Sequence, residues 1–128
     1  MKTSAIALGV GAMLAASPAL ARDHVLLDAG KAPANQTITS KSLGVKSATP
    51  FTVTTKTLHG GRQEGVMLVE IDTGAMKITV VPNRGMNVAE AVSGKVRLGW
   101  KSPVHEIVNP AFLDQGARNG IGWLEGFN

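Results

Sequence analysis

A single arginine stands in a short loop that interrupts a run of predicted strands. The loop, Pro82-Asn83-Arg84-Gly85, follows a stretch in which apolar residues alternate with polar ones. Proline cannot donate to a sheet ladder and glycine permits a positive φ, so the strand must end here. Arg84 is therefore expected at the end of a strand, where loops commonly present binding groups. Its side chain is the first candidate for contact with a polar ligand.

A second group of polar residues lies in the last part of the sequence, in residues 115–128. This stretch has four glycines and no apolar period, and it carries Arg118, Glu125 and Trp123 together with amide side chains. A long loop without periodicity in a small domain is usually functional or disordered. Its apolar and aromatic content argues against disorder, so we expect an ordered loop whose charged groups could point inward.

The remaining reactive residue types offer no assembled site. There are no cysteines, which excludes disulfides, thiolate chemistry and cysteine-bound zinc. The glycine-rich turn 59–65 has neither the spacing of a phosphate loop nor a following helix. It is either a solvated hairpin loop or a loop that faces a ligand. The three histidines lie in no recognisable catalytic pattern, and the sequence predicts no metal site.

The elements that must position these loops are short strands. Met76, Ile78 and Val80 alternate with more polar neighbours, which is the two-residue period of a strand. The same pattern and the turn residues between segments predict strands at 51–58, 66–72, 76–81, 86–92 and 96–100. A short helix is the competing interpretation for 86–92 because alanine and glutamate prefer it. Val25-Leu26-Leu27 is a candidate edge strand, and 29–50 reads as a loop or surface arm. Consecutive hairpins predict an antiparallel β-sandwich.

The N-terminus has the pattern of a secretory signal peptide. Lys2 precedes an apolar stretch of about a dozen residues, too short to span a bilayer, and Ala19-Leu20-Ala21 is a cleavage sequence. The alternative is a short buried helix. We predict cleavage after Ala21 and a periplasmic or secreted product with no membrane segment after processing. The predicted organisation is a signal peptide at 1–21, an arm or edge strand at 22–50 and a β-domain at 51–128.

Charge and length limit the possible partners. The 128 residues include 13 basic and 9 acidic ones, which are spread along the chain. No basic run interleaves with aromatic residues, so no nucleic-acid partner is predicted. The length allows one domain at most. Residues 120–128 are apolar and glycine-rich, unlike most termini. We therefore expect the chain to be an N-terminal fragment of a longer protein and to fold poorly when expressed alone. The oligomeric state does not follow from the sequence.

The glycine-anchored motifs together carry a family resemblance. In order they are GGRQEGV, EIDTG, VVPNRGMNV, LGWKSPV, NPAF and ARNGIGWLEGFN, which cover roughly residues 58–128. This series resembles an uncharacterised branch of the aldose 1-epimerase-like (galactose mutarotase-like) proteins. The resemblance implies a galactose mutarotase-like supersandwich, incomplete in this chain, that binds a carbohydrate in a cleft on one sheet. It also implies a reaction without a cofactor.

The resemblance implies a set of substrate-binding residues but no catalytic pair. Those in the matching motifs are Arg84, Arg118, Asn119, Glu125 and Asn128. Arginine and amide groups offer fixed donors to sugar hydroxyls, and Trp123 could stack on a pyranose. Alternatively, the arginines form internal ion pairs, for instance with Glu64 or Glu125, and both tryptophans are core residues. The resemblance implies an acidic residue at position 87 as readily as the amide present.

Three hypotheses therefore stand side by side. The first is an exported, cofactor-free epimerase that interconverts sugar anomers by acid–base catalysis. That reaction needs an acid and a base within hydrogen-bond reach on either side of the sugar, and neither can be assigned here. The second is a carbohydrate-binding module without turnover. The third is an inactive truncated fragment. Fold alone does not choose between them, because function resides in the site.

Overall fold

A computed structural model describes residues 23–28, 30–31 and 34–126 of the chain. In the described part of the chain, six strands form one antiparallel sheet in which each strand pairs with its neighbour in sequence. The strands are β1 (Gln36–Thr39), β2 (Thr52–Thr57), β3 (Met67–Asp72), β4 (Lys77–Val81), β5 (Asn87–Ser93) and β6 (Val96–Leu98). The predicted all-β antiparallel class is confirmed, and the segment after Arg84 is a strand rather than a helix.

The two faces of the sheet differ in polarity because the side chains alternate along each strand. One row of paired residues runs through all six strands and defines the back face: Ile38, Val53, Ile71, Ile78, Ala91 and Leu98. The neighbouring row, on the front face, places Glu70 opposite Thr79 and Thr79 opposite Glu90. The predicted alternation of β3 and β4 is therefore confirmed. The apolar back face suits packing, whereas the front face presents polar groups.

The front face is apolar at one end, where residues 99–126, which we call the closing segment, cover it. Val66, Leu68 and Val81 form a buried cluster against which Leu58, Ala89 and Ile107 pack. Burying each such aliphatic side chain contributes about 1.5–3 kcal/mol. Val108, next to Ile107, is 1% exposed. The closing segment, residues 99–126, is thus fixed to the sheet through its middle.

Strand β5 contains a β-bulge. Val80 pairs with Val88 but Thr79 pairs with Glu90, so Ala89 is an extra residue on the β5 side. Bulges bend a strand and re-aim its side chains. Here Ala89 and the adjacent Glu90 both line a cavity on the front face.

The edge strand lies further along the chain than the sequence predicts. Val25, Leu26 and Leu27 form no strand, and Val25 is 71% exposed. The edge strand is instead Gln36–Thr39, inside the stretch predicted to be a loop or arm. It has only one large apolar residue, Ile38, so its alternation is weak, and pairing with β2 stabilises it. The Val25–Leu27 prediction is therefore wrong.

The closing segment has little regular structure but is closely packed. It contains two 3₁₀ turns, at Pro110–Phe112 and Gly122–Leu124, with the turn Ala117–Gly120 between them. A Cβ added to Gly122 would overlap the Asp114 carbonyl oxygen, and one added to Gly126 would overlap the Val108 side chain. Glycine is therefore required where this segment folds back on itself.

Candidate functional site

The Arg84 loop is a single 3₁₀ turn fixed at both ends. Pro82 begins the turn and Gly85 ends it with a left-handed backbone, φ 67°. The Asn83 side-chain oxygen accepts a 2.7 Å hydrogen bond from the Met67 backbone N–H. This bond satisfies the first donor of β3 and ties the loop to the neighbouring strand. Arg84 consequently projects from a fixed backbone, as the sequence predicts.

Arg84 connects the sheet to the closing segment. Its Nη1 donates a 3.0 Å hydrogen bond to the Val108 carbonyl oxygen, and its Nη2 donates one of 3.4 Å to the Trp123 carbonyl oxygen. The side chain is partly buried, and the loss of water around the guanidinium lowers the pKa of Arg84 from its ordinary value. Both of these acceptors are carbonyl oxygens, so Arg84 does not form the alternative ion pair with Glu64 or Glu125.

Asn109 joins the closing segment to the glycine-rich turn 59–65. Its backbone N–H donates to the Arg62 carbonyl oxygen at 2.8 Å, and its Nδ2 donates to the Glu64 carbonyl oxygen at 2.7 Å. Its Oδ1 accepts from the Ala111 N–H at 3.0 Å and so caps the following 3₁₀ turn. The Glu106 carboxylate accepts from the Arg62 N–H at 3.1 Å. The turn 59–65 therefore serves as a docking site for the closing segment.

A pocket lies between the Arg84 loop and the closing segment. Its volume is about 450 Å³, within the size range of small-molecule sites. Its lining combines polar side chains with apolar ones and includes one indole: Asn83, Arg84, Gly85, Asn87, Pro110, Leu113, Gln115 and Trp123. A guanidinium, three amides and an aromatic ring thus surround one cavity. We call it the Arg84 pocket.

The other predicted site residues do not line the described part of this pocket. Glu125 is 3.5 Å from the Arg62 guanidinium and 3.9 Å from that of Arg118. The Arg118–Glu125 pair is the internal ion pair given above as the alternative. Asn119 and Arg118 both have a left-handed backbone in an exposed turn. Asn128 lies outside the described residues. Substrate contact by these four residues stays a prediction.

The two tryptophans are not core residues. Trp123 is 49% exposed and lines the Arg84 pocket, and Trp100 is 54% exposed and lines a second cavity on the front face. The alternative that both are buried is therefore wrong. Each indole keeps a large surface available beside a cavity, which suits stacking against a ligand.

The histidine and the single glutamate of the 59–65 turn interact with each other and with the turn's backbone. Glu64 accepts a 2.7 Å hydrogen bond from the Gly60 N–H and lies 3.0 Å from the His59 Nδ1. The Gly60 bond, followed by the His59 bond, lowers the pKa of Glu64 from its ordinary 4.5. Within the described residues no group of three or more His, Cys, Asp or Glu side chains could hold a metal ion.

Sequence reasoning missed three amides of the Arg84 pocket as binding candidates. Asn83 lies next to Arg84, Asn87 begins β5, and Gln115 comes from the closing segment. The turn pattern pointed to Asn83 and the family resemblance to position 87. Nothing local indicated Gln115, because it reaches the pocket through the folding of a segment that has no period.

The described residues define an antiparallel β-sheet domain with a pocket between the Arg84 loop and the closing segment. The chain belongs to the family described as domain of unknown function DUF4432, whose model matches residues 63–128. The predicted family resemblance is thus confirmed. No curated protein matches the chain.

The chain is also similar to a solved structure. This is the crystal structure of a "putative aldose 1-epimerase" from Klebsiella pneumoniae subsp. pneumoniae, with 47% sequence identity and a TM-score of 0.67. The match covers 73% of this chain and 24% of that one. The chain has an aldose 1-epimerase-like fold and spans about a quarter of the length of that relative.

Proposed function

We propose that this chain forms a carbohydrate-binding pocket of an aldose 1-epimerase-like domain. The observation that carries the proposal is the Arg84 pocket, in which Arg84, three amides and Trp123 surround a cavity of about 450 Å³. Amides both donate and accept hydrogen bonds, and a guanidinium donates several in fixed directions. Sugar hydroxyls need both kinds of partner, and the apolar face of a sugar ring matches an indole surface.

Backbone strain in the same two loops supports a ligand-binding role. Among the described residues, three non-glycine residues have a positive φ: Met86 at 62°, Arg118 at 53° and Asn119 at 59°. Such conformations cost of order 1–3 kcal/mol each and cluster at ligand-binding sites. One of these residues follows the Arg84 loop and the other two lie in the closing segment. The strain thus falls on the two elements that form the pocket.

The lining favours binding over catalysis by this chain alone. Interconversion of anomers requires a base at the anomeric hydroxyl and an acid at the ring oxygen. The lining residues found in the described part of the chain supply a guanidinium, amides and an indole, but neither a carboxylate nor an imidazole. In the whole protein, acid–base catalysis of anomer exchange would need two further groups at this pocket. A binding module without turnover is the second candidate function.

Export is part of the proposal. Residues 1–21, which lie outside the described residues, have the charge, apolar stretch and cleavage sequence of a signal peptide. The proposed location is the periplasm or the exterior of the cell, with cleavage after Ala21. Across the described residues, the structure has no helix with the length and hydropathy to cross a membrane.

The decisive experiment measures sugar binding and turnover separately. Galactose and glucose are titrated into ¹⁵N-labelled protein, and the side-chain amide signals of Asn87 and Gln115 are followed. We expect both to shift, and Gln115→Ala to weaken binding, whereas Lys46→Ala, which changes an exposed residue that lines neither cavity, serves as the control. Polarimetry of a single anomer then separates an epimerase from a binding module. Folded protein whose pocket signals respond to neither sugar would contradict the proposal.

A further inference from the structure

A second cavity lies on the front face of the sheet, beside the Arg84 pocket. It has a volume of about 350 Å³ and lies between strands β3–β6 and the first part of the closing segment. Its floor includes Glu70, Thr79 and Glu90, and Trp100 forms part of its wall. We call it the Trp100 cavity. Neither the proposed sugar pocket nor the family match assigns it a role.

The charged groups of the Trp100 cavity are held in place by ion pairs. Glu90 accepts a 2.8 Å hydrogen bond from the Arg97 Nε, and Arg97 also donates to the Gly99 carbonyl oxygen at 3.3 Å. Glu70 lies 2.6 Å from the Lys56 Nζ. Because these pairs restrict the side chains before a ligand arrives, less conformational entropy is lost on binding.

The balance of charge indicates the chemical class of the ligand. The lining contains two carboxylates, Glu70 and Glu90, which are balanced by the ion pairs with Lys56 and Arg97. A charged ligand would have to compete with one of these pairs. An uncharged ligand with many hydroxyl groups can donate to the carboxylates and accept from the cations at once. Together with the half-exposed indole of Trp100, this is the chemistry that binds a neutral sugar.

The two cavities are neighbours on one face of the sheet. Asn87 lines the Arg84 pocket and Ala89 and Glu90 line the Trp100 cavity, so both cavities share strand β5. Asn87 pairs with Val81, whose side chain belongs to the front-face cluster. Asn87 and Glu90 oppose Val81 and Thr79, which are two residues apart on β4, so at strand spacing they lie about 7 Å apart along the sheet. Linked sugar rings can span that separation.

We infer that the Trp100 cavity is a second sugar subsite, so that the chain binds a neutral glycan of at least two linked units across both cavities. The inference rests on the carbohydrate function proposed above. The unit in the Arg84 pocket contacts the guanidinium, the amides and Trp123. The next unit lies over the row Glu70, Thr79 and Glu90 and against Trp100. A free monosaccharide fills only one of the two positions.

The two tryptophans of the sequence make the two cavities separately observable, because each cavity has one. The protein is labelled with 5-fluorotryptophan, and Trp100→Phe and Trp123→Phe serve only to assign the two ¹⁹F signals. The full chain is then titrated with galactose, lactose, glucose and maltose. We expect a monosaccharide to shift the Trp123 signal and its disaccharide to shift both signals with higher affinity.

A variant tests the polar floor of the cavity. In Glu90→Gln the pair with Arg97 is lost, and we expect disaccharide affinity to fall about tenfold, to the level of the monosaccharide. Monosaccharide affinity should be unchanged. Glu64→Gln, which alters an exposed carboxylate of the 59–65 turn, is the matched control and should leave both affinities unchanged.

The outcomes separate the two proposals. If only Trp123 responds to a disaccharide and Glu90→Gln binds it normally, the second subsite is refuted and the sugar pocket stands. If Trp100 responds to a monosaccharide as strongly as Trp123 does, the sites are independent and the linked-glycan inference is wrong. If neither signal responds to any of the four sugars, the carbohydrate function itself fails and the inference fails with it.

Discussion

Arg84 and Val108 are joined by a 3.0 Å hydrogen bond from the arginine Nη1 to the valine carbonyl oxygen, across 24 positions of sequence. The same guanidinium reaches the Trp123 carbonyl oxygen at 3.4 Å. A single side chain therefore links the end of β4 to two points of the closing segment. Because both acceptors are carbonyl oxygens, no carboxylate of the described residues compensates the guanidinium charge. The cation can thus hold the fold together and still attract a polar ligand.

Arg84→Ala should lower both stability and sugar affinity. Removing the guanidinium leaves two carbonyl oxygens without their donors, and we expect a loss of about 2 kcal/mol in the free energy of unfolding. Urea denaturation measures it. The control is Arg118→Ala, whose pair with Glu125 is long and exposed and should be worth less than about 0.5 kcal/mol. Equal losses of stability in the two variants would show that the hydrogen bonds from Arg84 to the carbonyl oxygens contribute no more than the exposed Arg118–Glu125 pair.

Gly126→Ala should be far more damaging than Gly120→Ala. Both glycines have a positive φ, 72° and 92°, so an alanine at either position is strained by roughly 1–2 kcal/mol. Only at Gly126 would the new methyl group overlap the Val108 side chain, whereas nothing lies near it at Gly120. Overpacking adds about 1–3 kcal/mol. The difference in melting temperature between the variants isolates the overlap, and similar melting temperatures would exclude it.

Asn109→Ala should detach the closing segment from the 59–65 turn. The side chain caps the turn at Pro110–Phe112 and donates to the Glu64 carbonyl oxygen, so we expect a loss of about 2 kcal/mol. Asn109→Ser keeps a capping oxygen but not the amide donor and should lose about half as much. Hydrogen exchange of the Ala111 amide reports the cap directly. Equal destabilisation by serine and alanine would mean that the cap contributes nothing.

Glu64 should make the protein sensitive to acid in a defined direction. Its pKa lies below the ordinary 4.5 because the Gly60 N–H and His59 favour the carboxylate. The folded state therefore binds this proton less readily than the unfolded state. The resulting stabilisation is fully present above about pH 4.5 and is lost as the pH falls through the lower folded-state pKa. Melting temperature from pH 3 to 7 measures it.

Glu64→Gln is the matched variant for that titration. The stability difference between wild type and variant should be constant above the ordinary glutamate pKa and should shrink on acidification. Asp28 and Asp72 also have lowered pKa values, each chiefly through a backbone N–H, so the variant will keep some sensitivity to acid. A difference that is unchanged between pH 7 and pH 3 would contradict the assignment to Glu64.

The sheet could be predicted from sequence because its determinants are local. Each of the strands β2 to β6 carries its own alternation and is bounded by glycine, proline or polar turn residues. Strand β1 was not predicted, because Gln36–Thr39 has one large apolar residue and depends on its partner β2. Where a segment owes its structure to a distant neighbour, its own residues are a poor guide.

The site was only partly predictable for the same reason. The sequence identified Arg84 and Trp123 as candidates because the loops around them have clear glycine and proline signals. It did not identify the bonds of Arg84 to the Val108 and Trp123 carbonyl oxygens, since backbone acceptors have no signature in residue type. The Trp100 cavity was also missed, because its floor is assembled across strands β3, β4 and β5.

The bulge at Ala89 changes which positions of β5, odd or even, face the front of the sheet. Before it, the odd position 87 faces the front; after it, the even positions 90 and 92 do. Asn87, which precedes the bulge, lines the Arg84 pocket, and Glu90, which follows it, lines the Trp100 cavity. If β5 kept all its residues but had no bulge, Asn87 and Glu90 would face opposite sides of the sheet, because they are three positions apart. The extra residue at Ala89 therefore keeps both cavities on one face of the sheet.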